Sequence, residues 1–163
     1  MNHSLAIVSV IVFLCVASVG LAQSRAMPSS ASVHQYNLMG ESVGVSGYDP
    51  VSYFPEGGGK PEKGLISISV QRDGVTYRFA SEEHRALFEK NAEKYLPAYG
   101  GWCAWAVAEL GKRVDVDPES FEMRDGKLYL FFRDKKLDTR ALWREKPGEF
   151  LVKSETKWPE LAK

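Results

Sequence analysis

With 163 residues, 44% of them apolar and 12% aromatic, the chain can build one core and is too short for two once a leader is set aside. Lysine plus arginine and aspartate plus glutamate each number 21. No net field therefore draws the protein to phosphates or acidic membranes, and nucleic acid is not an expected partner.

Leu5 to Val19 run without a charge, and Gly20-Leu21-Ala22-Gln23 follows with the small-x-small pattern of a signal-peptidase site. The sequence predicts a signal peptide over 1–22, cleaved after Ala22, and hence an exported protein, periplasmic or secreted, with no membrane contact after leader removal. Met1-Asn2-His3-Ser4 carries no lysine or arginine, so a retained amino-terminal anchor is the competing reading. Against it, the apolar run is shorter than the roughly 20 residues a spanning helix needs. Cys15 leaves with the leader, which makes Cys103 the one thiol of the mature chain. No intrachain disulfide can form, and stability must come from packing.

Residues 23–33, rich in Ser, Ala and Pro, read as a flexible linker, and 34–163 as the domain. Gln35 to Met39 is a candidate short strand. Pro50 opens an expected extended run to Phe54, and Pro55 to Gly64 reads as a mobile surface loop. Leu65 to Gln71 and Val75 to Ala80 flank Asp73-Gly74, whose positive-φ preference predicts a hairpin; strand alternation then turns Ile66, Ile68 and Val70 toward the core. Ser81 is placed to cap a helix with Glu82 and Glu83 in its first turn. His84, Leu87, Phe88 and Ala92 recur at helical spacing, so the helix turns His84 inward. Pro97 ends that segment. Trp102 to Leu110 reads as a short buried helix stopped by Gly111. Glu119 to Met123 and Lys127 to Phe132 flank Asp125-Gly126 as a second hairpin. Asp134 to Arg144 and Pro147 to Lys157 read as closing helices. The expected fold is α+β, a small single domain with two β-hairpins packed against short helices.

Several blocks occur together in order: Gly47-Tyr48-Asp49-Pro50-Val51-Ser52-Tyr53-Phe54, then Tyr77-Arg78-Phe79-Ala80-Ser81-Glu82-Glu83-His84, and later Tyr99-Gly100-Gly101-Trp102-Cys103-Ala104. With Phe88, Asn91 and Glu93-Lys94-Tyr95 between them, they resemble the YHS domain family, and more narrowly its exported single-domain branch. The resemblance covers roughly Ser46 to Ala104, and Asp125-Gly126-Lys127-Leu128-Tyr129-Leu130 and the Trp158-Pro159 end are similar to the same branch. It implies a small α+β domain from a family found beside copper and other heavy-metal transporters and in some metal-dependent monooxygenases. Metal-associated relatives carry one cysteine after Asp-Pro-Val and two in a Phe-Cys-Ser-x-x-Cys pattern. The matching positions here are Ser52, Ala80 and His84, of which only His84 keeps ligand chemistry.

Copper(I) accepts two or three thiolate, imidazole or thioether ligands, so Cys103 and His84 are the candidate metal ligands and copper the candidate cofactor. Zinc would ask for more donors than the chain supplies. Tyr48, Asp49, Tyr95, Tyr99, Trp102 and Trp105 are the candidate pocket lining. Three functions follow: a copper-binding or accessory protein, a module that holds a small molecule or partner in an aromatic pocket, or a thiol-based redox protein using Cys103. No third orienting residue or oxyanion donor set accompanies Cys103 and His84, so a carrier role is favoured over catalysis. A monomer is expected.

Overall fold

The chain enters through two two-residue strands, β1 (Leu38–Met39) and β2 (Val43–Gly44), which pair antiparallel. The computed structural model describes residues 33–40 and 42–163; the expected signal peptide and all but the last residue of the expected linker lie outside these. The first Asp-Gly step joins β3 (Leu65–Arg72) to β4 (Val75–Phe79), with Asp73 at φ 50° and Gly74 at φ 81°, the two positive angles a tight hairpin requires. β4 also lies parallel to β2, giving one sheet in the order β1-β2-β4-β3.

The ladder corrects one expected inward face. Leu65 opposes Phe79 while Ser69 opposes Arg78, so Ile66 to Ile68 bulge out of register. Val70 and Ile68 still pack against the core, but Ile66 is 76% exposed. Strict alternation holds only where the ladder is continuous.

A second correction falls on Val51 to Phe54, which form a tight succession of turns instead of an extended run. The Ser52 amide donates to the Asp49 carbonyl at 3.2 Å and the Phe54 amide to the Val51 carbonyl at 3.0 Å. The loop after it is pinned to the body: Asp49 N donates to Glu62 O at 2.8 Å and Lys60 N to Ser52 O at 3.0 Å. Gly57 permits the return, because a Cβ there would lie 2.1 Å from the Val51 carbonyl oxygen.

Helix α1 (Glu82–Lys90) starts where the sequence places it, the Ser81 hydroxyl accepting from His84 N at 3.1 Å. One turn, α2 (Ala92–Tyr95), follows, and Leu96 is extended ahead of Pro97. Helix α3 (Ala104–Leu110) ends on left-handed Gly111. Strands β5 (Asp117–Arg124) and β6 (Lys127–Phe131) form the second hairpin about Asp125 and Gly126. Helix α4 (Thr139–Glu145) begins later than expected, because Asp134 caps a local turn through the amides of Lys136 and Leu137 and leaves Asp138 as the helix cap. Helix α5 (Pro147–Leu161) closes the chain.

Strand β6 divides the interior. Leu128 and Leu130 face a core of Val51, Phe54, Tyr77, Phe79 and Phe88, whereas Tyr129 and Phe131 face a second core with Ala104, Trp143 and Phe150. Two-residue periodicity sends neighbours to opposite faces, and here both faces are covered. Each fully buried large side chain contributes about 1.5–3 kcal/mol of transfer energy, so the strand's four buried residues hold the two halves together. Among the described residues no helix is long and apolar enough to cross a membrane.

Candidate functional site

Asp49 is wholly buried, and every contact of its carboxylate is to a group that can donate. Oδ1 accepts from Val51 N at 2.8 Å, and Oδ2 accepts from Ala80 N at 2.8 Å and meets His84 Nδ1 at 2.6 Å. A carboxylate that already accepts two backbone hydrogens orients the ring so that Nδ1 faces it as donor and Nε2 points away. The first turn of α1 fixes the His84 backbone, Asp49 fixes its ring, and the side chain keeps 15% exposure. Ser52 donates from Oγ to the Asp49 carbonyl at 2.7 Å and accepts from Glu62 N at 3.1 Å. Ser52, Ala80 and His84 thus all contact Asp49, Ser52 at its main-chain carbonyl and Ala80 and His84 at its carboxylate. That carboxylate is what stitches the 47–54 turns to the end of β4.

Cys103 has different company. It lies fully buried at the start of α3, its amide donating to Val114 O at 3.0 Å and its Sγ lying 3.3 Å from Thr139 Oγ1 at the start of α4. The Thr139 hydroxyl gives its hydrogen to Phe132 O at 3.0 Å, so the thiol is the donor in the sulfur contact. A sulfur holding its hydrogen for Thr139 is poorly placed as a ligand, since metals take the thiolate. Among the described residues no group of three or more His, Cys, Asp or Glu side chains could hold an ion. His84 offers one nitrogen with its carboxylate behind it, the backing of a metal-bound histidine. The contacts lend no support to a shared His84–Cys103 copper site.

An alkylating reagent is therefore expected to modify Cys103 in the folded protein only at the rate of global opening, and readily after unfolding. Mass-spectrometric labelling against denaturant concentration measures this. Rapid native labelling would show a thiol on an accessible surface.

A concavity with a more aromatic lining lies elsewhere. A half-open cleft of about 590 Å³ runs between the Gln35-Tyr36 entry segment, the Asn91 to Gly100 stretch, the second hairpin and α5, within the volume range of ligand sites. Tyr36, Tyr99, Tyr129 and Trp158 give it four aromatic walls. The Tyr99 ring is the centre of the group, 6.0 Å from Tyr129 and 5.8 Å from Trp158.

Backbone geometry puts it there. Tyr99, Gly100 and Gly101 all have positive φ, at 54°, 61° and 86°. Glycine accepts this freely; a tyrosine does so at a cost of about 1–3 kcal/mol, strain that clusters at functional sites. Gly100 also allows close approach, since a Cβ would fall 2.2 Å from Gln35 O. Its carbonyl accepts from Asn37 N at 2.8 Å, and Trp102 Nε1 donates to Gln35 O at 3.0 Å. Burial raises the Tyr36 and Tyr99 phenols above the usual range and pushes Tyr129 up to about 12, so the walls keep their O–H groups at any physiological pH.

Of the expected pocket lining, Tyr99 borders this cleft and Trp102 a second hollow beside Tyr36 and Arg113. Asp49 is the buried clamp. Tyr95 belongs to the first core, its ring 5.0 Å from Phe54 and its hydroxyl on Glu56 at 2.9 Å. Tyr48 donates to Glu119 at 3.2 Å, and Trp105 packs on the second core. The sequence reading missed Tyr36, Tyr129 and Trp158. They come from the entry segment, β6 and α5, and nothing in their spacing joins them. Comparison of the chain with protein-family models, with curated proteins and with solved structures finds no match.

Proposed function

We propose that this chain is an exported YHS-type domain whose work is non-catalytic ligand binding in the Tyr99 cleft. The observation that carries the reading is the four-ring wall built around a tyrosine held in a left-handed conformation. Buried aromatic surface supplies non-directional affinity, and the amphipathic tips supply orientation.

Tyr99→Gly is the discriminating variant, because glycine keeps the left-handed turn while removing the ring. Saturation-transfer NMR of the full chain against a set of small aromatic and polar fragments is expected to give hits that compete with one another, lose about tenfold in affinity in Tyr99→Gly, and raise Tm without metal. Hits unchanged in Tyr99→Gly would remove the cleft from consideration. Copper(I) titration against a competing chelator supplies the contrast. A one-to-one site abolished in both Cys103→Ser and His84→Ala would displace this reading in favour of metal handling; no such site is expected.

A further inference from the structure

Resting on the cleft reading, we infer that the ligand is a neutral oligosaccharide. The reasoning begins with charge. Lys94 is tied to Glu56, and Glu93 pairs with Arg72 at 2.5 Å. That leaves Lys127 and Glu155, one cation and one anion, without a partner among the described residues. A rim with balanced free charge selects neither a phosphate or carboxylate ligand nor a cationic one.

Hydrogen-bonding capacity narrows the class further. The Tyr36 and Tyr129 hydroxyls, the Trp158 indole N–H and the Asn91 amide also have no partner among the described residues, and all belong to residues that border the cleft. This set contains donors, acceptors and groups that are both. A flat hydrocarbon ring could stack on Tyr99 or Trp158 but would cover these polar groups without satisfying them. A sugar ring does both, offering a C–H face to the aromatic walls and hydroxyls that donate and accept around its edge. The half-open shape admits a chain of such rings and does not demand a terminal one.

The test uses the full chain with chitohexaose and cellohexaose as probes, indole and benzoate as a second arm, followed by amide chemical-shift mapping and calorimetry. At least one hexasaccharide is expected to shift the amides of Tyr99, Tyr129 and Trp158, to lose about tenfold in affinity in Tyr99→Gly and in Asn91→Ala, and to bind equally well when salt is raised to about 1 M. Circular dichroism of each variant checks that the fold survives. Indole or benzoate shifting those amides while both sugars leave them unmoved would overturn the saccharide class and keep the cleft. Silence from all four probes at those amides would overturn both, and sugar binding that collapses in high salt would overturn the neutral-ligand argument.

Discussion

Asp49→Ala is expected to cost about 3–5 kcal/mol of unfolding free energy, the penalty of removing one member of a buried polar pair. The carboxylate is the shared acceptor of Val51 N, Ala80 N and His84 Nδ1, and its removal leaves these donors facing a cavity within a fully buried site. Because domains of this size have only about 5–15 kcal/mol in hand, the loss is a large part of the total. Asp49→Asn keeps the volume but turns an amide N–H toward a group that also donates, so an intermediate cost of about 1–3 kcal/mol is expected. His84→Ala leaves Asp49 with both backbone donors and belongs below Asp49→Ala in the series. Guanidinium denaturation monitored by tryptophan fluorescence reads all three. An Asp49→Ala protein within about 0.5 kcal/mol of wild type, the range of inert surface changes, would mean the clamp is not stabilising the fold.

The other large effect is expected at Trp143 in α4. Its ring is fully buried, stacked on Phe150 at 5.9 Å and within 5.6 Å of both Tyr129 and Phe131. Trp143→Ala opens a cavity in the second core and is expected to cost about 3–5 kcal/mol. The indole Nε1 is buried without a hydrogen-bond partner among the described residues, a liability of about 1–3 kcal/mol that phenylalanine does not carry. Trp143→Phe is therefore expected to be much milder than Trp143→Ala, as lost volume is offset by removal of the orphan donor. Thermal and chemical unfolding of the two variants measure the difference; equal losses would show that ring packing is not what α4 contributes. Tyr129 joins this core to the cleft, so Trp143→Ala also loosens one wall of the proposed binding site.

These two sites differ in how they relate to the sequence. Trp143 sits in a segment whose helical pattern was readable, although Asp134 diverted the expected start. In the sequence Asp49 reads only as candidate pocket lining before Pro50; in the fold its carboxylate accepts from Val51 N, two residues on. Its hold on Ala80 and His84 was not visible, because those residues stand 31 and 35 positions away. His84 was placed inward by helical spacing, and it is; its expected pairing with Cys103 finds no support among the contacts, since the sulfur is engaged by Thr139. Ile66 shows the limit of periodicity in a strand, for a bulge of the ladder moved it to solvent.

What the chain determines by itself is settled within four or five residues: the turns at Asp73-Gly74 and Asp125-Gly126, the cap at Ser81, the stop at Gly111. Backbone sterics and one-turn hydrogen bonds act at that range, and neighbouring residue types suffice to set them. The tertiary structure alone decided which carboxylate meets the imidazole, which hydroxyl meets the thiol, and that rings from the entry segment, the Tyr99 turn, β6 and α5 wall one cleft. Those meetings are outcomes of packing two cores on the faces of β6, and side-chain contact across a core depends on the shape of everything between.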